Sequence, residues 1–264
     1  MDFTTILGLL LTLGMVFLGL VAQVADLGQI RFFLDPASLL VVLGGSLGST
    51  FMSMPLRSFV QAGSVLAVAF RDRRENLREL LERIVRLSET ARRDGILALE
   101  PELEGISDRF LRQGLQMAID GTDPEALTST LTNELDQSRA RHESGRAFLE
   151  LVARYAPAYG MLGTLIGLIL MLAPTAAHAA GVDGAGAQGV PLKGMALALV
   201  TTFYGVLLAN AVALPLADKL EEKDRDETLR MQTVVCGIQS IQLGDNPRVV
   251  ERKLQAFLPP EARA

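Results

Sequence analysis

Hydrophobic and polar positions along the chain fall into long blocks. Four stretches stay apolar for about 20 residues, the length needed to cross a bilayer: Phe3–Ala22, Pro36–Pro55, Tyr155–Pro174 and Gly194–Ala217. Between the second and third, the pattern changes to a helical period. From Glu75 to Ala91, Leu77, Leu81, Ile84 and Leu87 recur at near-helical spacing with Arg and Glu between them, and Arg93-Asp94-Gly95 breaks the run. A second helix is predicted over Ile106–Ile119, closing at Asp120-Gly121. Asp123 then reads as an N-cap with Pro124 at the first helical position. No stop signal separates Pro124 from the third apolar stretch, so one long helix is predicted to run from there into the membrane. Ala173–Pro191, with its Ala and Gly run, reads as a flexible connection. There is no strand-like alternation of useful length and no repeat. The pattern predicts an all-α fold, a four-span transmembrane helical protein with a helical aqueous domain between spans two and three. Its divisions are 1–55 (spans one and two), 56–150 (aqueous helical domain), 151–217 (spans three and four, with an outer loop near 174–191) and 218–264 (helical tail).

Charge then orients the spans. The connection Gln23–Asp35 carries only Arg31, Thr175–Pro191 carries no Lys or Arg, and Lys193 sits at the edge of span four. Every other basic residue follows span two or span four. The positive-inside rule places both termini and the large middle segment in the cytoplasm, and the 174–191 loop outside. Met1-Asp2-Phe3 lacks the positive leader of a cleaved signal peptide, so the first span is expected to persist. Composition agrees with this mixture: 49% of the 264 residues are hydrophobic and 21% charged, with a mean hydropathy of +0.31. A net charge of −5 gives no basic footprint for nucleic acid. Cys236, alone, cannot form an internal disulfide. His142 and His178 have no Cys or His neighbours at ligand spacing, so no resident metal or cofactor is expected. No nucleophile–base pair argues for an enzyme.

The four spans lack Asp, Glu, Lys, Arg and His. Ion-coupled membrane proteins usually place an ionisable group in the membrane, where it can bind and release a cation. This chain is therefore either a passive helical scaffold or half of an ion path whose carboxylate a partner supplies. Its hydroxyls, prolines and glycines are ordered. Gly160, Thr164 and Gly167 lie at i, i+4 and i+7 in span three, and Ala198, Thr202, Gly205 and Ala209 repeat the pattern in span four. Span two carries a small-xxx-small pair, Gly44 and Gly48. Such faces let helices approach closely, and ordinary packing accounts for the glycines as well as function does. For the threonines, the alternative to a site is a hydroxyl bonded back onto its own helix. Pro157 and Pro215 free the carbonyls of Ala153 and Ala211, which either line a hydrated path or mark tolerated kinks.

At these residues the chain resembles a known family. Span three, Tyr155-Ala156-Pro157-Ala158-Tyr159-Gly160-Met161-Leu162-Gly163-Thr164-Leu165-Ile166-Gly167-Leu168, is similar to the APAxGMxGTLIGL signature of flagellar motor stator A-subunits. This is the MotA/PomA family, and the likeness is closer to its PomA/MotP sodium type. Thr201-Thr202-Phe203-Tyr204-Gly205 through Pro215-Leu216-Ala217-Asp218-Lys219-Leu220 resembles the family's TTxYG…PxADKL stretch. Ala91 to Glu100 and Gly244-Asp245-Asn246-Pro247-Arg248 resemble its AR-x-x-G-x-LALE and G-x-NPR motifs. The resemblance implies an inner-membrane channel subunit that couples cation flow to torque. It implies a pentamer of such chains around two MotB/PomB-type B-subunits, which supply the intramembrane Asp, with the rotor protein FliG as the cytoplasmic partner.

Position by position, the resemblance makes Arg92, Arg93 and Glu100 rotor-facing charges. It makes Thr164, Thr202, Pro157, Pro215, Thr201 and Tyr204 ion-path residues, and Gly160, Gly163, Gly167 and Gly205 helix-packing positions. The transported cation is expected to be sodium, held transiently at Thr164 and Thr202, with the proton as alternative. One departure is Arg154, where sodium-type relatives often carry an acidic residue. The rival reading, an ExbB/TolQ-type proton-channel subunit, shares the two pore helices but normally has three spans.

Overall fold

The computed structural model describes residues 3–23, 30–31, 33–69, 76–179 and 190–259. Helices dominate, and no strand occurs among the described residues. In chain order they are α1 (Phe3–Gln23), α2 (Pro36–Ser53), α3 (Leu56–Ala69), α4 (Leu77–Asp94), α5 (Arg109–Ile119) and α6 (Pro124–Ala179), then α7 (Val190–Leu207), α8 (Leu214–Gln242) and α9 (Pro247–Gln255). A π turn, Leu208–Ala213, joins α7 to α8, and another, Leu40–Gly44, lies within α2. Four helices are long and apolar enough to cross a membrane, within Phe3–Gln23, Pro36–Ser53, Pro124–Ala173 and Lys193–Gln242. The chain divides into two units: Met1–Asp72 with Glu143–Glu221, and Arg73–His142 with Glu222–Ala264.

The first unit carries the spans. α1 buries none of its residues, so its apolar surface is left for lipid or another chain. Small clusters tie the others together. Ala69, Leu149, Leu216, Ala217 and Leu220 form one, and Val152, Ala153, Ala209 and Ala213 another. Phe59 packs edge-on between Phe51 and Phe148, at centroid distances of 5.3 and 5.5 Å.

The second unit has a conventional core. The apolar stripe of α4 contributes Leu80, Leu81, Ile84 and Leu87, which meet Leu111 and Leu115 of α5, Leu127 and Leu131 of α6, Val234 and Ile238 of α8, and Val250 and Leu254 of α9. Helix ends follow local chemistry. Asn76, Asp108 and Asn246 cap α4, α5 and α9 by accepting from backbone N–H groups of the first turn. Asp123 does the same for α6, accepting from Glu125 and Ala126, with Pro124 at the first position. α4 ends at Gly95, whose φ of 88° suits glycine.

Two boundaries differ from the sequence expectation. α5 starts at Arg109 rather than Ile106, because Asp108 takes the N–H groups of Phe110 and Leu111 at 2.9 and 3.2 Å and fixes the cap there. The helix of span three continues past Pro174 to Ala179, so the outer loop expected from 174 begins in helix. Residues 180–189 of that loop lie outside the described residues.

Candidate functional site

Spans three and four cross at their small residues. A Cβ on Gly205 would meet the Ala156 carbonyl oxygen at 2.5 Å, and one on Gly167 would meet the Gly194 carbonyl oxygen at 2.4 Å. A Cβ on Gly163 would strike Thr201 at 2.4 Å, and one on Gly160 would lie 3.2 Å from the Thr201 carbonyl oxygen and the Thr202 Cα. Gly160, Gly163, Gly167 and Gly205 thus stand where these two helices approach most closely. In span two, by contrast, the Gly44–Gly48 pair does not mediate contact within the chain: Gly48 has open space around its Cβ position. Gly45 is the close-packed residue, with a Cβ there only 2.2 Å from the Tyr159 ring.

The crossing places the threonines differently. Thr202 Oγ1 donates to the Ala198 carbonyl of its own helix at 3.2 Å and also lies 3.5 Å from the Gly160 carbonyl of span three. A regular helix pairs that same Gly160 carbonyl with the N–H of Thr164. Thr164 Oγ1 donates to the Met161 carbonyl at 2.6 Å. Both hydroxyls thus dispose of their proton on a backbone carbonyl. A hydroxyl that donates its hydrogen keeps oxygen lone pairs for another ligand, so these bonds are compatible with cation ligation. Thr201 is fully buried at the Gly163 contact, bonded to Leu197 and Ala198 of its own helix. Tyr204 turns toward the connection that precedes span two, its hydroxyl donating to the Phe33 carbonyl. The structure brings Thr202 to the Gly160 carbonyl, leaves the Thr164 hydroxyl on the Met161 carbonyl of its own helix, and puts Thr201 and Tyr204 in packing positions.

The prolines lie toward one end of the same crossing. Pro157 lies against Gly205, its Cα 3.2 Å from where a Cβ would stand. Pro157 offers no N–H to the Ala153 carbonyl, and Ala153 packs with Ala209 and Ala213 of the π turn. Pro215 follows that turn by two residues, and Leu214 reaches back to the Ala209 carbonyl across it. The wider turn is the helix's accommodation of a proline that cannot bond Ala211. Arg154 is exposed at the Tyr155 end of the span.

Sequence reading passes over three features. Ser49 and Ser53 of span two hydrogen-bond Tyr159 and Tyr155 of span three at 2.8 and 2.9 Å, making two rungs between the helices. Both pairs sit four residues apart, and that matched spacing was the available signal. The reading treats the spans as offering hydroxyls, prolines and glycines, whereas span four also contains the amide of Asn210. Gly45 is the third.

In the second unit, Arg92 and Glu100 are exposed near the turn that follows α4. Arg93 instead forms a two-pronged ion pair with Asp94, its Nη2 2.8 Å from Oδ2. The guanidinium holds the Asp94 carboxyl below the ordinary carboxylate range. No group of three or more His, Cys, Asp or Glu residues able to hold a metal ion occurs among the described residues.

Comparison with known proteins identifies the family. Residues 102–233 match the model of the MotA/TolQ/ExbB proton channel family, and residues 6–95 match the Motility protein A N-terminal model. The chain belongs to the MotA/PomA-type flagellar stator subunits. It is 37% identical to Motility protein A of Borreliella burgdorferi over 88% of this chain and 85% of that protein. It is 34% identical to Chemotaxis protein PomA of Vibrio alginolyticus over 100% of this chain and 98% of that one. A solved flagellar MotAB stator complex from Bacillus subtilis aligns with a TM-score of 0.85 at 28% identity, covering 99% of this chain and 98% of the matched chain. MotA/PomA-type subunits are ion-channel components of the flagellar motor, not enzymes. The MotA-type N-terminal match, which spans the first two membrane helices, sets this chain apart from the ExbB/TolQ alternative.

Proposed function

We propose that this stator subunit works on sodium. Two threonine hydroxyls, Thr164 and Thr202, contribute oxygens to a site completed by an aspartate from a single-span B-subunit. The observation that carries the reading is the Gly160 carbonyl lying beside Thr202 Oγ1, with both hydroxyl protons already placed on backbone carbonyls. That leaves oxygen lone pairs for a hard cation, which needs oxygen ligands to replace lost water. A proton needs no such shell. Identities to PomA and to Motility protein A are alike, 34% and 37%, so the choice of ion rests on these hydroxyls.

In this reading, several copies surround a B-subunit dimer, in a pentamer as the family resemblance implies, and the unburied α1 and the exposed side of the span-three and span-four pair face other chains or lipid. Both termini and the segment 56–150 lie in the cytoplasm, the side on which Lys and Arg accumulate. Charging and neutralising the partner carboxylate biases rotation of the ring around it. Arg92 and Glu100 carry the torque to charged residues of FliG.

The test is swimming speed against external sodium at fixed pH. Speed should follow sodium and fall with a sodium-channel blocker such as phenamil. Undiminished swimming in sodium-free medium would overturn the sodium assignment and leave a proton-driven stator.

A further inference from the structure

Span four holds one side chain that neither the packing nor the threonine pair accounts for. Asn210 is the only carboxamide in the four apolar stretches. It is exposed, and its Nδ2 donates to the Val206 carbonyl of its own helix at 3.0 Å. Its Oδ1 has no partner among the described residues. A carboxamide oxygen facing hydrocarbon without a hydrogen-bond donor is costly. Polar side chains at membrane depth accordingly face water-filled cavities or other protein, and they mark ion pathways.

The backbone decides which way Asn210 faces. In an uninterrupted α-helix each residue turns about 100°, so a four-residue step overshoots a full turn by about 40°. Thr202, Val206, Asn210 and Leu214 would then spiral around the helix. The π turn Leu208–Ala213 takes an extra residue into one turn and sets the later side chains back toward the earlier ones. Val206, Asn210 and Leu214 are accordingly all exposed, in line beyond the half-buried Thr202. Span three meets the adjoining side, through Ala198, Thr201, Gly205 and Ala209, and reaches Thr202 at its edge.

We infer that Asn210 is a third oxygen donor of the ion path, carrying it from Thr202 toward the Pro215 end of span four. The inference rests on the ion-path reading above. The free Oδ1 is a hard oxygen of the kind that hydrated or partly dehydrated cations accept. The self-bond to Val206 fixes the amide with that oxygen turned outward.

The experiment uses the full complex with its B-subunit, with sodium and protons as the probe ions, read by ion-sensitive dyes in vesicles. Asn210→Leu should lower flux about tenfold, on the scale of one lost polar contact, while the amount of co-purified B-subunit stays unchanged. Asn210→Ser, which keeps an oxygen, should recover most of the flux. Wild-type flux through Asn210→Leu, with Thr202→Ala impaired, would overturn the inference and leave the ion-path reading standing. If Thr202→Ala also conducts normally, the reading and the inference fail together. A fall in flux that only tracks lost B-subunit would make Asn210 an assembly contact and overturn the proposal.

Discussion

At the scale of single residues, the crossing of spans three and four separates positions that look equivalent in sequence. Gly205→Ala would place a methyl group 2.5 Å from the Ala156 carbonyl oxygen, a backbone atom that cannot swing aside. Overpacking of this kind typically costs about 1–3 kcal/mol. The purified protein in detergent should melt measurably earlier, whereas Gly48→Ala, with nothing within 4 Å of its Cβ position, should shift melting little. The two adjacent threonines divide in the same way. Thr201→Ala empties a buried place against Gly163 and should lower stability by about 1 kcal/mol while conduction per folded complex holds. Thr202→Ala should do the reverse, leaving melting nearly unchanged and reducing flux in the complex with the B-subunit. The i, i+4, i+7 spacing puts Gly160 and Gly167 on one face of span three, and that much is legible in the sequence. Spacing alone could not show that Gly45, not Gly44 or Gly48, meets a tyrosine, since that depends on how span two is turned.

At the scale of elements, helix ends were written locally and helix interruptions were not. The cap at Asp123 with Pro124 was readable because the Asp123 carboxylate accepts from backbone N–H groups only two and three residues on. Asp108 was equally readable, yet the apolar Ile106 drew the predicted start of α5 three residues too early. Asp108 also receives Arg230 at 3.4 Å, so it fixes both a helix end and the position of α8 beside it. Asp108→Ala should destabilise the second unit by about 1–2 kcal/mol, the range for a lost N-cap. Hydrogen exchange should show the loss first in the amides of Phe110 and Leu111. The π turns had no such signature. A proline announces a missing N–H, but whether the chain kinks, or widens a turn as at Leu208–Ala213, depends on neighbours such as Val152 and Ala153 that sequence order does not bring together. Pro215→Ala returns an N–H to that turn and removes the reason for it. The variant should fold and assemble with the B-subunit, but rotate poorly, because the line from Thr202 to Asn210 is redrawn.

At the scale of the whole molecule, the spans and the charged unit make separable demands, one for ion passage and one, in the proposed reading, for contact with the rotor. The four-span layout and the helical charged region were legible because lipid allows only backbone-satisfied helices and leaves 20-residue apolar runs in the sequence. The roles of the charges were not legible from residue type, since an exposed Arg reads alike whether it is solvated or a contact. Their surroundings in the structure differ. Arg93 is committed to Asp94, while Arg92 and Glu100 stand exposed without that restraint. Exposed charges add little stability singly but set the orientation and rate of encounter with a partner. Reversing Arg92 and Glu100 together should therefore stop or slow swimming while ion flux and B-subunit recovery stay at wild-type levels. Arg93→Ala should be milder than Arg92→Ala, because its guanidinium is already held by a neighbouring carboxylate rather than offered outward. Measuring speed and flux on the same strains separates the outcomes. If the double reversal lowers flux in step with speed, these charges support the channel's own structure. If it lowers speed alone, they act at the rotor, and restoring motility by reversing the facing charges on FliG would identify the pair.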